Sequence, residues 1–179
     1  MSYFAAAVTR GRSGWTASEL DLSDVADVDE VADLMRDVDP DALISLLFVE
    51  ADDAYLTVLR LDEGEDLRVF GSDSAYAEDS RLGKLLLGDV TEPATEVVID
   101  ADLDELDPIV EATEAEEEHP AVDPSATPIG DADLLADLGV SAHKLLTLCA
   151  TDGLLPADVT AEVCQAIGCG DEVEELREA

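Results

Sequence analysis

The stretch from Asp100 to Asp123 divides this chain and limits what the rest of it can form. It reads DADLDELDPIVEATEAEEEHPAVD, with no Lys or Arg and with two prolines. Carboxylates at this density repel one another, and the few apolar side chains cannot offset the entropy of ordering the backbone. The sequence therefore predicts an acidic, Pro-rich, disordered linker over residues 89–127 between two folded units.

Residues 1–88 predict an α+β domain built on a small antiparallel sheet with two helices, in the order ββαβββα. Apolar runs separated by short polar turns indicate antiparallel strands. These predicted strands cover residues 2–9, 15–22, 43–49, 55–61 and 67–70. The run LISLLFV at 43–49 is continuous, which is typical of a central strand covered on both faces. All seven aromatic residues of the chain lie between Tyr3 and Tyr76, so the aromatic core belongs to this domain.

Two segments of this domain predict helices. In residues 27–38 apolar side chains recur at helical spacing, with acidic residues opposite them and near the start, where the helix dipole favours negative charge. Residues 75–87 predict one or two short helices, broken near Ser80 or Gly83. Within the linker region, the segment TEVVI at 95–99 is a candidate edge strand.

Residues 128–179 predict a small all-α helical unit. Its expected helices begin near Asp131, Ser141, Pro156 and Asp171, and glycines follow the apolar stripes as stop signals. A unit of about fifty residues with no aromatic side chain has a marginal core of its own. We therefore expect it to dock on the first domain, on a second copy of the chain or on a partner.

The charge excludes some partners. The chain holds 45 acidic and 9 basic residues, which gives a net charge of −36. Such a surface repels nucleic acid phosphates and anionic membranes, so we expect neither direct nucleic acid binding nor membrane binding. Direct nucleic acid binding would require five arginines to gather on one face, namely Arg10, Arg12, Arg60, Arg68 and Arg81. The acidity either serves solubility or forms a docking surface for a basic protein.

The termini and apolar runs predict a soluble, cytoplasmic protein. The opening MSYFAAAVTRGR has no basic region before its short apolar run, unlike a secretory signal. The longest apolar run is far below the length that spans a membrane. Three cysteines, an odd number, give no complete disulfide framework.

The only set of metal-ligand types is His143, Cys149, Cys164 and Cys169. Their spacing matches none of the usual zinc signatures. Cys149 and Cys164 fall on apolar helix stripes, where a free thiol acts as a small hydrophobe. A disulfide between Cys164 and Cys169 is disfavoured in a reducing compartment.

No other motif carries chemistry. His119 lies in the acidic linker, a poor place for general acid–base work. The sequence has no EF-hand loop, phosphate-binding glycine loop or nucleophile elbow. We therefore predict a non-enzyme with no catalytic, cofactor-binding or metal-binding residues and no cofactor.

Three separated blocks carry a family resemblance. They read SYFAAAVTRGRSGWTASELDL, DVDEVADLMRDVDPDALISLLFVEADDAYLTVLRLD and DLLADLGVSAHKLLTLCATDGLLPADVTAEVCQAIGCGDEVEELRE. In this order they resemble an actinobacterial family called tRNA adenosine deaminase-associated proteins. The resemblance implies an association with a deaminase whose gene lies nearby, and it implies no catalytic residues.

The chain is not itself such a deaminase. That chemistry needs a His- or Cys-x-Glu segment and a Pro-Cys-x-x-Cys segment around zinc. Here His143 is followed by Lys144 and Leu145, and the sequence has no Pro-Cys-x-x-Cys.

Three functional hypotheses follow. The first is a non-catalytic accessory or regulatory protein that binds a tRNA adenosine deaminase or another basic protein. The second is an acidic homo-oligomeric scaffold with no role in tRNA editing, which would associate through its C-terminal helices. The third is an enzyme with an unrecognised carboxylate site, which a deep cleft lined by acids of raised pKa would support.

Overall fold

The structure is a computed structural model and describes residues 3–88, 90, 127–151 and 153–179. The strands in these ranges are β1 (Tyr3–Gly11), β2 (Gly14–Glu19), β3 (Ile44–Ala51), β4 (Tyr55–Asp62), β5 (Asp66–Gly71) and β6 (Ile129–Gly130). The α-helices are α1 (Val28–Val38), α2 (Ser74–Asp79), α3 (Arg81–Leu87), α4 (Ala142–Cys149), α5 (Pro156–Ile167) and α6 (Gly170–Glu178). No helix in these ranges is long and apolar enough to cross a membrane.

The strands form one antiparallel sheet in the order β2-β1-β3-β4-β5-β6. This confirms the predicted α+β class and the order ββαβββα of the first 88 residues. The turns are tight because acidic residues adopt left-handed conformations in them. Asp52 and Asp53, between β3 and β4, have φ of 51° and 54°, and short polar side chains tolerate this conformation better than most.

Helices α1, α2 and α3 cover one face of the sheet. Two acidic residues cap α1: the Asp27 side chain accepts from the Glu30 N–H at 3.0 Å, and the Glu30 side chain accepts from the Ala26 N–H at 2.7 Å. Ser80 separates α2 from α3, at one of the two expected break points, and its hydroxyl accepts from the Gly83 N–H. Met35 is fully buried in the core on this face.

The opposite face of the sheet is covered by the C-terminal helices. Its core mixes apolar side chains from β1, β3, β4 and β5 with others from 128–179, including Phe48, Phe70, Leu135 and Val163. The helical unit therefore docks on the first unit, one of the three alternatives that its marginal core left open. With helices on both faces of the sheet, the prediction that β3 is covered on both faces is confirmed. The boundaries 1–88, 89–127 and 128–179 stay a prediction.

Two details of the C-terminal segment differ from expectation. The helix expected from Asp131 to Leu138 is wrong: the chain forms turns and then a short 3-10 helix at Ala136–Leu138. The reason is that the Asp131 N–H donates to the Val69 carbonyl at 2.8 Å, which keeps this segment on the sheet just after β6. The last helix begins at Gly170, with Cys169 rather than Asp171 as its N-cap.

Other expectations about helix ends are confirmed. Ser141 caps α4 by accepting from the Lys144 N–H, and Pro156 occupies the first turn of α5. Gly168 ends α5 with φ of 91°. The predicted acidic linker and the candidate strand at 95–99 lie outside the described residues, apart from Val90 and Thr127.

Candidate functional site

A cleft of about 420 Å³ opens at the end of the sheet where β1 begins and β3 ends. Four acidic residues line it, namely Glu19, Glu50, Asp52 and Asp53, together with one basic residue, Arg177. The carboxylates come from three places: the end of β2, the end of β3 and the turn that follows β3. Their approach depends on the β2-β1-β3 strand order, so the cleft unites residues that are distant in sequence.

The most buried carboxylate of the cleft belongs to Glu50, which is 8% exposed. It accepts a charge-assisted hydrogen bond from the Arg177 guanidinium at the end of α6. The same guanidinium carbon lies 4.6 Å from the centroid of the Phe4 ring, within range of a cation–π interaction. Arg177 therefore neutralises Glu50, links α6 to the sheet and leaves the cleft acidic overall.

The turn that carries Asp52 and Asp53 is held by an aromatic pair. The Tyr76 hydroxyl donates to Asp52 Oδ2 at 2.9 Å, and the Tyr76 ring stacks on Tyr55 at 4.5 Å between centroids. Burial raises the pKa of Tyr55 to about 12. Burial, followed by the contact with Asp52, also raises the pKa of Tyr76 to about 12. Both phenols stay neutral at physiological pH and act as fixed supports for the acidic turn.

This arrangement suits the binding of cationic groups. Several carboxylates face one cleft with a single guanidinium among them, so the local potential is negative and a Lys or Arg side chain of another molecule is attracted to it. Sequence reasoning did not find the site, because acids are spread along the whole chain. The one local signal was Glu50, the only charged residue of β3.

The candidate metal-ligand types do not converge. Cys149, Cys164 and Cys169 are buried, whereas His143 is exposed on α4. Cys164 and Cys169 lie beside each other, and the Cys169 N–H donates to the Cys164 carbonyl at 2.8 Å. Within the part of the chain that the structure describes, no three His, Cys, Asp or Glu side chains form a group able to hold a metal ion.

The thiols are core side chains. Burial raises the pKa of Cys149 to about 12. A hydrogen bond with Cys169, together with burial, raises the pKa of Cys164. All three cysteines are free. His119 lies outside the described residues.

Two of the arginines that nucleic acid binding would require are already neutralised. Arg60 is 4% exposed and its guanidinium binds both Asp62 and Asp137. Arg68 pairs with Asp62 at 3.1 Å and lies 3.7 Å from Asp131. These two side chains therefore tie the C-terminal segment to the sheet.

Comparisons with known proteins agree with the sequence resemblance. A family model described as Rv3753c-like tRNA adenosine deaminase-associated protein matches residues 3–170. Searches of curated proteins and of solved structures gave no match. The family match spans nearly the whole chain and includes the four acidic residues of the cleft, whereas Arg177 lies beyond the matched residues.

Proposed function

Because the chain belongs to this family of tRNA adenosine deaminase-associated proteins, we propose that it is a non-catalytic accessory protein that binds a tRNA adenosine deaminase. The observation that carries the proposal is the acidic cleft of Glu19, Glu50, Asp52 and Asp53 on a chain of net charge −36. An enzyme that acts on tRNA needs Lys and Arg side chains for the phosphates. An acidic protein that docks there competes with tRNA.

Charge complementarity between the two proteins determines how the accessory protein would affect the deaminase. Long-range attraction speeds the encounter of an acidic protein with a basic surface, and salt weakens it. Both the accessory protein and tRNA present dense negative charge, so they occupy the same face of the enzyme in turn. The accessory protein then regulates access to the enzyme and shields it when tRNA is scarce.

The cysteines support a role without chemistry of the deaminase type. Such enzymes hold zinc with thiolates or imidazole near a glutamate that moves protons. Here the three thiols are buried among apolar side chains, and burial raises the pKa of Cys149. An acid-lined cleft is present, as the enzyme hypothesis expects. Its most buried carboxylate, Glu50, already accepts from Arg177, which supports a structural role for that group.

The direct test is a titration of the full chain with a tRNA adenosine deaminase at low and moderate salt. We expect binding at low salt that weakens as salt rises. The triple variant Glu19→Gln, Asp52→Asn, Asp53→Asn removes three cleft charges, and Asn still accepts at residue 52. We expect it to bind about tenfold more weakly, or worse.

The matched control removes three exposed charges elsewhere, by Glu65→Gln, Glu78→Gln and Glu162→Gln. It changes the net charge equally, so it separates the cleft from overall acidity. Absence of binding at both salt concentrations would refute the proposed association. Equal losses in the two triple variants would assign the attraction to net charge and not to the cleft.

The alternative hypothesis, a homo-oligomeric scaffold, relies on association through the C-terminal helices. The C-terminal helices, which were expected to meet a second copy, bury their apolar faces against the sheet. In the described segments the exposed large apolar side chains are Leu43 and Leu155, at 55% and 36%. Isolated residues of this kind are ordinary and do not form an interface. A stable dimer by light scattering in the absence of partner would favour the scaffold.

A further inference from the structure

At the outer edge of the sheet, β2 has backbone groups that no other described residue pairs with. The Leu20 N–H donates to the Ala5 carbonyl at 2.9 Å, so even-numbered residues of β2 point toward β1. Alternation along a strand then turns the N–H and C=O of Trp15, Ala17 and Glu19 outward. Across the described ranges, no backbone or side-chain hydrogen bond reaches these six groups. An edge of this kind is a template for one more strand.

Helix α6 runs alongside this edge. The indole Nε1 of Trp15 lies 4.0 Å from the position of a Cβ built on Gly168, just before α6 begins. Leu176, near the end of α6, lines the same cleft as Glu19 at the end of β2. Strand and helix therefore run in the same direction. Four residues of strand and eight of helix both span about 12–13 Å, so the two elements match in length.

The side of α6 nearer this edge is acidic. A groove between α5 and α6 is lined by Gly170, Asp171 and Glu174, which places these residues on the side toward α5. Successive residues of a helix are rotated by about 100° around its axis. Glu172 and Glu175 therefore lie on the side of α6 that faces away from α5. Because α5 packs on β3 and α6 packs on β1 and β2, the side away from α5 is the side of the open edge.

We propose that the open edge of β2, beside α6, receives an extended, Lys- or Arg-bearing segment of the protein partner as a further antiparallel or parallel strand. The inference rests on the proposed function, because the partner it describes is the basic protein bound by the acidic cleft. Backbone groups of Trp15, Ala17 and Glu19 supply the pairing, and Glu172 and Glu19 select the charge. The segment then leads into the cleft of Asp52 and Asp53.

The charges decide between this occupant and a second copy of the chain. Self-pairing of two β2 edges brings the two acidic α6 helices together on one face of a continuous sheet, and their repulsion opposes the attraction between Arg10 of one copy and Glu19 of the other. A basic segment, by contrast, is attracted by the acidic side of α6. Arg10 and Arg12 lie at the hairpin end of β2, with the Arg10 guanidinium carbon 5.6 Å from the Trp15 ring. The basic residues of the segment therefore belong at the Glu19 end.

The first test uses Trp15, the only tryptophan in the sequence. The full chain is titrated with an octapeptide of alternating Thr and Lys, which places every Lys on one face of a strand. We expect saturable change in Trp15 fluorescence. A matched peptide N-methylated at every residue has no N–H group to donate to β2 in either strand direction. We expect it, and a Thr–Glu peptide, to bind at least about tenfold more weakly.

The second test removes one outward donor. Ala17→Pro deletes the central N–H of the edge without touching a bond to β1, and edge strands tolerate proline at such positions. Ala17→Ser keeps the donor and serves as the matched control. Circular dichroism and thermal unfolding establish that both variants are folded. We expect Ala17→Pro alone to lose at least about tenfold in affinity for the Thr–Lys peptide and for the deaminase.

The outcomes separate this inference from the proposed function. If the deaminase binds wild type and Ala17→Pro equally, and the Thr–Lys peptide leaves Trp15 fluorescence unchanged, the edge is not the docking strand although the association stands. If the deaminase does not bind at all while the peptide binds with the expected dependence on its N–H groups, the association is refuted and the edge remains a receptor for a basic strand. Equal binding of the Thr–Lys and Thr–Glu peptides overturns the charge selection.

Discussion

Arg60 in β4 reaches across to Asp137, in the 3-10 helix before α4, with 2.8 Å between Nη2 and Oδ2. Its Nη1 also donates to the Leu134 carbonyl at 2.6 Å, and Asp62 accepts on the other side of the guanidinium. Arg60 thus donates to five acceptor atoms from two parts of the chain while almost wholly buried. The contact explains how a segment that continues from a two-residue strand stays fixed on the sheet.

Removing the Arg60 guanidinium is expected to lower the unfolding free energy more than removing one of its acceptors does. Arg60→Leu keeps apolar volume but leaves the Leu134 carbonyl without its donor, and we expect a loss of about 2 kcal/mol in unfolding free energy. Asp137→Asn is the matched control, since Asp137 is 58% exposed and Arg60 keeps Asp62; we expect a loss of about 0.5 kcal/mol. Urea unfolding measures both. Equal losses would show that the Leu134 contact contributes nothing.

The same pair gives a pH dependence with a defined sign. The hydrogen bond from Arg60 lowers the pKa of Asp137 below its ordinary value of 3.8. A carboxylate whose folded pKa is depressed contributes stability above its unfolded pKa, and this is lost as pH falls through the folded pKa. The difference in unfolding free energy between wild type and Asp137→Asn should therefore be largest near about pH 6 and should decrease below about pH 4. A gap that stays constant in urea titrations at about pH 6 and pH 3 would contradict this assignment.

Arg177 is expected to stabilise the cleft through both Glu50 and Phe4. Arg177→Met leaves Glu50 as a nearly buried charge without its partner, and we expect a loss of about 2 kcal/mol. Arg177→Lys keeps the charge but not the planar group over the ring, and we expect about half that loss. Adding Glu50→Gln to Arg177→Met should recover part of the stability. A double variant that shows purely additive losses in thermal unfolding would mean that the two groups are not coupled.

Local patterns predicted the parts of this fold that local interactions determine. The continuous run of β3 indicated burial on both faces, and Ser141 indicated the start of α4. The site itself depends on pairs that the sequence does not bring near each other. Arg177 and Glu50 are separated by 127 positions, and neither residue signals the other. In a chain so rich in acids, no pattern distinguishes the carboxylates that the strand order gathers.

The shared core predicts that the first 88 residues do not fold well alone. A fragment of residues 1–88 exposes the face that the C-terminal helices cover, including Phe48 and Phe70. We expect it to associate and to bind a hydrophobic dye, because exposed apolar patches of this kind drive both. Adding a fragment of residues 128–179 should suppress dye binding. A monomeric fragment 1–88 that unfolds cooperatively, measured by light scattering and urea titration, would show that the first domain is independent.

Gly130 is expected to be the least replaceable residue of β6. Its φ is +93°, and a Cβ there would lie 2.1 Å from the Val69 carbonyl oxygen, so alanine must displace the backbone pairing between β5 and β6. We expect Gly130→Ala to cost about 3 kcal/mol, from left-handed strain and from the clash together. Gly153→Ala is the matched control, because Gly153 has φ of +78° with nothing within 4 Å of an added Cβ; we expect about 1 kcal/mol from strain alone. The difference between the two variants in urea unfolding isolates the clash. Equal losses would mean that β6 can be displaced from β5 without a loss of unfolding free energy, and that it does not anchor the C-terminal segment to the sheet.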